Sequence, residues 1–442
     1  MARSIKRLGK QFAVCAVTAV AFSTTQQASA EDLWDIYQLA LENDATYLAA
    51  ASDYEAAKLN LPLAKTGFKP FVTTSGTLGR QRSDVSGPRT TSDAHQLNFD
   101  LDQPLYDRAL SIEIDQAELG VEIAKIGFDI AHDNLTLRMA ESYFTLLGLR
   151  DNKEVARLEK IAIKRQMDLA EERLDVGLGT RTDLFDARAR FQKADADLIS
   201  ADISINNARQ ALIEIINVTP KSVAPLADGS PLELPEPNDL DHWVGLSQSN
   251  NLRVLAEDLN LMVASREIDR QRATRRPTVS VGASQRFTDS SATEFSDGDI
   301  STTSIGLNLN LPIYLGGSIN LRTRQAGLQF NAVEQGLESI KRRAASDTTA
   351  AFLDVTSGIS QVRALAEAII AGENALQAKE EGFSAGLTTN LDVLDAQRDL
   401  SSSRTDFLQA KYTYILALLR LEQATGDLGE EDILYINEWL SK

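Results

Sequence analysis

Gln96-Leu97-Asn98-Phe99-Asp100-Leu101-Asp102 and, some two hundred residues later, Ile305-Gly306-Leu307-Asn308-Leu309-Asn310-Leu311 are the two stretches whose reading decides the fold. In both, apolar side chains alternate with Gln, Asn, Asp or Gly. That is the period of a strand with one apolar face and one strongly polar face. Phe71 to Arg80 and Thr278 to Phe287 supply partner strands with weaker alternation. Gln81 to Ala94 and Thr288 to Ser301, rich in Ser, Asp, Thr and Gly, read as the loops between partners. Such strands suit a small soluble sheet or a membrane barrel. Their length of about ten residues matches a tilted membrane crossing, and a polar face would line water inside a barrel. Four strands do not close a barrel, and an open edge in lipid costs several kcal/mol per unpaired backbone group. Several chains must then share one barrel. Eight strands would be filled by side chains, whereas twelve leave a pore, so the expectation is a trimer.

The chain is written twice, at an offset of about 209 residues. Trp34 returns as Trp243, Lys69-Pro70 as Arg276-Pro277, Pro104-Leu105-Tyr106 as Pro312-Ile313-Tyr314, Gly177-Leu178 as Gly386-Leu387, and Asp183, Asp186-Ala187 as Asp392, Asp395-Ala396. A period this long is a duplicated domain-sized unit, not a short solenoid repeat. The first repeat is 31–218, with strands at about 70–106 and a tip turn at about 176–183. The second is 241–426, with strands at about 277–314 and a tip turn at about 385–392. Between them, residues 219–240 hold five of the eleven prolines and read as an irregular connector; residues 427–442 form a C-terminal segment.

Each copy is predicted to run helix, two strands, then two long helices. Arg108 to Val176 and Gly316 to Ala385 contain no proline and are dominated by Leu, Ala, Glu, Gln, Lys and Arg. Each run of about 70 residues would be a rod on the order of 100 Å long. The returning helices carry heptads: Leu184, Phe191, Leu198, Ile205 and Leu212 with Ala187, Ala194, Ala201, Ala208 and Ile215, then Val393, Leu400, Phe407, Tyr414 and Leu421 with Ala396, Ser403, Ala410, Ala417 and Ala424. Large residues in one row and small ones in the other make a coiled-coil seam. An ordinary coiled coil without a channel would carry the same seam; the strands and the duplication favour hairpins standing side by side as a cylinder. The fold class is therefore mainly α with a small β part.

At the hairpin tips, Gly177 and Gly386 suit the left-handed turn that ends a helix. Thr182 or Asp183, and Asn390 or Asp392, are the candidate caps of the next helix. Asp392 and Asp395 lie three residues apart, share a helix face and would point together into a lumen.

Arg3, Lys6, Arg7 and Lys10, the apolar run Phe12 to Phe22, and Ala28-Ser29-Ala30 make residues 1–30 a signal peptide cleaved before Glu31. Cys15, the only cysteine, follows a poor lipobox. Without the leader, 41 basic against 63 acidic residues leave a net charge of −22, which disfavours nucleic acid. An exported chain without cysteine uses no disulfides. No stretch of 18 apolar residues follows the leader, so no helical membrane span is expected. Walker A, Cys-x-x-Cys and Gly-x-Ser-x-Gly motifs are absent, and His95, His132 and His242 are scattered. No catalytic residue, metal site or cofactor is expected.

Taken together, the duplicated plan, the Pro-x-Tyr after each strand pair and the two Gly-Leu tips make the mature chain resemble the TolC-like outer-membrane efflux protein family. The resemblance implies a homotrimer with a twelve-stranded outer-membrane barrel and a twelve-helix periplasmic tunnel, and an equatorial belt at 219–240 and 427–442. It implies a passive duct of a tripartite export system, including type I secretion, joined to a periplasmic adaptor protein and an inner-membrane pump, ABC-type or proton-driven. Drugs or secreted proteins are the implied cargo. By the same resemblance Asp392 and Asp395 form aspartate rings at the periplasmic constriction, and polyvalent cations should reduce conductance. A tip latch maps to Asp183, Phe383 and Thr388, where Phe383 lacks the family's tyrosine hydroxyl and Thr388 replaces an arginine; Arg181 is the candidate for the missing cation. Val176, Gly177, Leu178, Ala385, Gly386 and Leu387 map to the adaptor-docking turns. The alternative is a periplasmic coiled-coil structural or adhesive protein without a pore.

Overall fold

A computed structural model describes residues 31–83, 90–227, 229–291 and 297–441. The leader and Cys15 lie outside the described residues. In chain order the elements are α1 (Leu33–Asn43), α2 (Ala45–Lys58), α3 (Asn60–Lys65), β1 (Phe71–Ser83), β2 (Thr90–Tyr106), α4 (Arg108–Asp175), α5 (Arg181–Ile216), α6 (Leu240–Asn250), α7 (Leu252–Ala273), β3 (Thr278–Ser291), β4 (Asp297–Asn310), α8 (Ser318–Ser384), α9 (Asn390–Thr425) and α10 (Glu430–Asn437). The two halves repeat one plan, and α4 and α8 are unbroken rods of 68 and 67 residues, each about 100 Å long.

The four strands form one antiparallel sheet in the order β1-β2-β3-β4. Its register puts Val72, Leu101, Ala283 and Ile305 in one row, and Gly76, Leu97 and Phe287 in another. That face is apolar, and Leu78 and Ile305 stand 82% and 78% exposed on it. Gln285 and Thr303 also fall on it, but they hydrogen-bond to each other, and Gln285 donates to Ser301 at 2.7 Å. The opposite face carries Asp100, Asp102, Asn98, Ser284, Arg286 and Asn308; there Arg286 donates to Asn98 at 3.1 Å and Asn98 to Ser75 at 3.3 Å. Within the chain β1 pairs only with β2 and β4 only with β3, leaving one open edge on each side.

Two expectations are corrected here. The strands run 13 to 17 residues and take in most of the segments read as loops, because backbone pairing is indifferent to the Ser and Asp side chains that mimic a loop. Only 84–89 and 292–296 lie outside the described residues of those segments. The Pro-x-Tyr motifs also differ. Pro104 lies inside β2, where a register irregularity before Tyr106 absorbs its missing N–H, whereas Pro312-Ile313-Tyr314 lies beyond the end of β4.

Each rod changes partner along its length. Its half nearer the sheet is walled by the shorter helices: Phe128 of α4 stacks on Tyr47 and Tyr54 of α2, and Gln116 of α4 donates to Glu267 of α7 at 3.2 Å. On α8 the matching half buries Leu337 and Ala344 against Val254 of α7. The distal half pairs with the returning helix. There the heptad rows close, with Ala187, Ala194, Ile205 and Leu212 of α5 and Val393, Leu400, Tyr414 and Leu421 of α9 all buried. Beyond the hairpins expected to stand side by side, α2, α3 and α7 also wall the rods; α7 has little amphipathic asymmetry because it contacts both α4 and α8.

Where the two kinds of half meet lies the main core: Tyr37, Tyr143, Phe144, Leu147, Leu212, Tyr412, Tyr414 and Trp439. The segment after α5 and the chain end strap this level. Tyr143 donates to the Ala224 carbonyl at 3.0 Å, Tyr414 to the Glu233 carbonyl at 2.9 Å, and Ala227 N to the Trp439 carbonyl at 2.8 Å. No described helix is long and apolar enough to cross a membrane.

Candidate functional site

The two tip turns are built alike. After α4, Gly177 adopts φ +77° and its N–H reaches the Leu174 carbonyl, while Leu178 N–H reaches Arg173 at 2.8 Å. After α8, Gly386 adopts φ +76°, Leu387 N–H reaches Gly382 at 2.7 Å and Gly386 N–H reaches Phe383 at 3.1 Å. This crossed pair of bonds satisfies the last helix carbonyls and needs a residue tolerant of positive φ. The turns present Val176, Leu178 and Leu387, at 70%, 80% and 83% exposure, to solvent. Ala385 and both glycines are exposed beside them.

The caps differ from expectation. Thr180 and Thr389 are the N-caps, two or more residues earlier than Thr182, Asp183 or Asp392 and one before Asn390. Asp183 and Asp392 are the reciprocal members of two capping boxes: the Thr389 hydroxyl donates to Asp392 at 2.7 Å and the Thr389 N–H at 2.9 Å, with the Thr180–Asp183 pair matching. The threonines win because the turn leaves them with extended backbone three residues ahead of a carboxylate. Those bonds from Thr389, with Lys379 Nζ 3.6 Å away, hold the Asp392 carboxyl below the usual carboxylate range.

Asp395, one turn along, accepts from Arg190 of α5 at 2.7 Å and lies 3.7 Å from Arg398. Each of the two aspartates expected at the constriction is therefore matched by a cation of its own chain.

The latch positions fall apart. Phe383 lies under the Arg173 guanidinium, 4.2 Å from ring centroid to Cζ, and its carbonyl accepts from Arg173 at 3.3 Å. Thr388 turns back onto α8, donating to the Lys379 carbonyl at 3.0 Å and packing on Gly382. Asp183 meets the second hairpin through its carbonyl, which accepts from the buried Asn390 at 3.5 Å. Arg181 is exposed and makes no ion pair among the described residues. The residues that join the two tips are Arg173, Arg190 and Asn390; of these only Asn390 was singled out from sequence, and as a cap, not as a cross-link. A signal was present. At the repeat offset they stand opposite Gly382, Asp399 and Arg181, so all three are positions where the duplicated copies disagree in charge or size.

An apolar-faced sheet with two open edges, continuous with helical rods that end in exposed tips, defines the outer-membrane duct class. The chain belongs to the outer membrane efflux protein family: the pattern described as "Outer membrane efflux protein" matches residues 36–218 and 243–427, one stretch per repeat. It is an outer-membrane efflux channel with a periplasmic helical extension, and its family is not enzymatic. The outer membrane protein TolC of Vibrio cholerae serotype O1 is 31% identical over 427 residues, covering 96% of this chain and 97% of that one. The proteases secretion protein PrtF of Dickeya chrysanthemi is 26% identical, covering 96% and 94%. Among solved structures, the Campylobacter jejuni CmeC outer membrane channel shares the fold at TM-score 0.77 and 16% identity, covering 98% of this chain and 97% of that one.

Proposed function

We propose that three copies of this chain close one twelve-stranded barrel and one periplasmic tunnel, and that this duct carries cargo passively from an inner-membrane pump and periplasmic adaptor to the exterior. The observation that carries the reading is the four-stranded sheet with one apolar face and two open edges. Lipid does not tolerate those edges, and a twelve-strand closure removes them while leaving a polar-lined pore. The leader 1–30 is removed on export. Residues 219–240 and 427–442 form the belt around the middle of the tunnel.

The exposed turns at Val176, Gly177, Leu178, Ala385, Gly386 and Leu387 dock the adaptor. Asp392 and Asp395 line the periplasmic constriction, and parting of the tips opens it. The cargo class is open to proteins and to small solutes: one relative is named for protease secretion, another for cobalt, zinc and cadmium resistance. The pump and adaptor decide between them.

The test is membrane fractionation followed by planar-bilayer recording of the purified full-length protein. The reading requires outer-membrane recovery, a trimer and stepwise conductance. A water-soluble monomer without conductance overturns it.

A further inference from the structure

The two carboxylates at the constriction are not free. Asp392 is held by its own capping box with Lys379 at 3.6 Å, and Asp395 by Arg190 at 2.7 Å, with Arg398 at 3.7 Å. The Arg190 pair differs from the others in what it connects. Lys379 and Arg398 belong to the same hairpin as the aspartate they face, so they travel with it. Arg190 stands on α5 of the first hairpin and Asp395 on α9 of the second. Its side chain is only 26% exposed, beside the cluster of Ile163, Ala187, Ala194 and Leu394 that seats α5, α4 and α9 together. At the repeat offset Arg190 stands opposite Asp399, so the charge is a departure from the duplicated pattern and not part of the shared wall.

We propose that Arg190 determines the charge selectivity of the periplasmic constriction: it neutralises Asp395 while the two hairpins are together and uncovers that carboxylate when α5 moves away from α9. This rests on the reading that the tips form the constriction. Cation attraction is then a property of the open form, and the closed tip is not the cation trap that two free carboxylates per chain would make. Uncovering one carboxylate in each of three chains, at roughly 10 Å from a trivalent ion in screened water, strengthens that ion's binding about tenfold.

The experiment records the mature trimer, without the leader, in planar bilayers with hexaamminecobalt(III) added on the tip side. It compares the native chain with R190Q, D395N, the double variant R190Q/D395N and the charge-swapped R190D/D395R. R190Q should be blocked at about tenfold lower cobalt complex concentration, with its reversal potential in a KCl gradient shifted toward potassium. R190Q/D395N and R190D/D395R should return to the native blocking concentration. Block unchanged in R190Q overturns the proposal. So does a double variant as sensitive as R190Q, and if R190Q does not assemble, a cation-sensitive charge swap overturns it in its place. Asp395→Cys separates this from the underlying reading, since Cys15 is the only other cysteine and lies in the leader. If a cationic thiol reagent does not reduce current through that variant, position 395 is outside the constriction and the tip reading itself fails.

Discussion

Ile305→Arg is the substitution that tests which face of the sheet meets lipid. The register stacks six rows on the apolar face, from the Leu78–His95–Asp289 row to the Val279–Leu309 row. Five intervals of two residues cover about 33 Å along a strand and, at a tilt near 45°, about 23 Å of height, close to the apolar band of an outer-membrane barrel. Ile305 shares the fourth row with Val72, Leu101 and Ala283, near mid-depth. An arginine there costs about 2–4 kcal/mol per chain, and about 6–12 kcal/mol in a trimer if the three sites are independent. That is comparable with the whole stability of many folded domains. Ser304 is the matched control, one residue away at the same depth with its side chain on the other face, where it shares a 2.7 Å hydrogen bond with Ser284. Ser304→Arg should cost less than about 1 kcal/mol, because an exposed hydroxyl pair is worth little and the new charge meets water. Urea titration of the protein refolded into lipid vesicles, read by the heat-modifiable trimer band on a gel, measures both. Equal losses for the two variants, or a larger loss for Ser304→Arg, would refute the assignment of faces.

Tyr412→Phe removes the hydroxyl that donates to Asp151 across the α4–α9 contact, where burial already pushes the Asp151 carboxyl up. Leaving that carboxylate without its donor should destabilise the chain by about 1–3 kcal/mol in urea melts; an unchanged midpoint would show the bond to be dispensable. Glu422 is lifted by burial, and then by Asp432 and Asp427, to about 7 from an ordinary 4.5. Between those values the folded chain holds a proton that the unfolded chain has released, so stability falls as pH rises from 4.5 to 7. Glu422→Gln should match the native chain at pH 4 and exceed it by on the order of 3 kcal/mol at pH 8. Parallel curves for the two proteins across that range would contradict the assignment.

How much of this was legible in the sequence follows from the range over which each feature is decided. The strand faces, the proline-free rods, the heptad rows and the glycine turns at 177 and 386 depend on neighbours a few residues away, through the period of the backbone and the sign of φ. The duplication added long-range information, since a second copy of each local signal made the first credible. Strand ends were not legible, because pairing recruits Ser, Thr and Asp that by composition mark a loop. Nor were the caps: Thr180 and Thr182 are both plausible until the turn sets which one has extended backbone.

What the sequence by itself determined is a twice-repeated plan of alternating strands and long rods, and hence a duct that one chain does not close. Tertiary structure alone decided which short helices wall each rod, that Arg173 covers Phe383, and that Arg190 reaches Asp395. Those contacts depend on the relative phase and height of helices some two hundred residues apart. A shift of one helix by a single residue rotates each side chain by about 100° and breaks the pairing, and no local pattern encodes that phase.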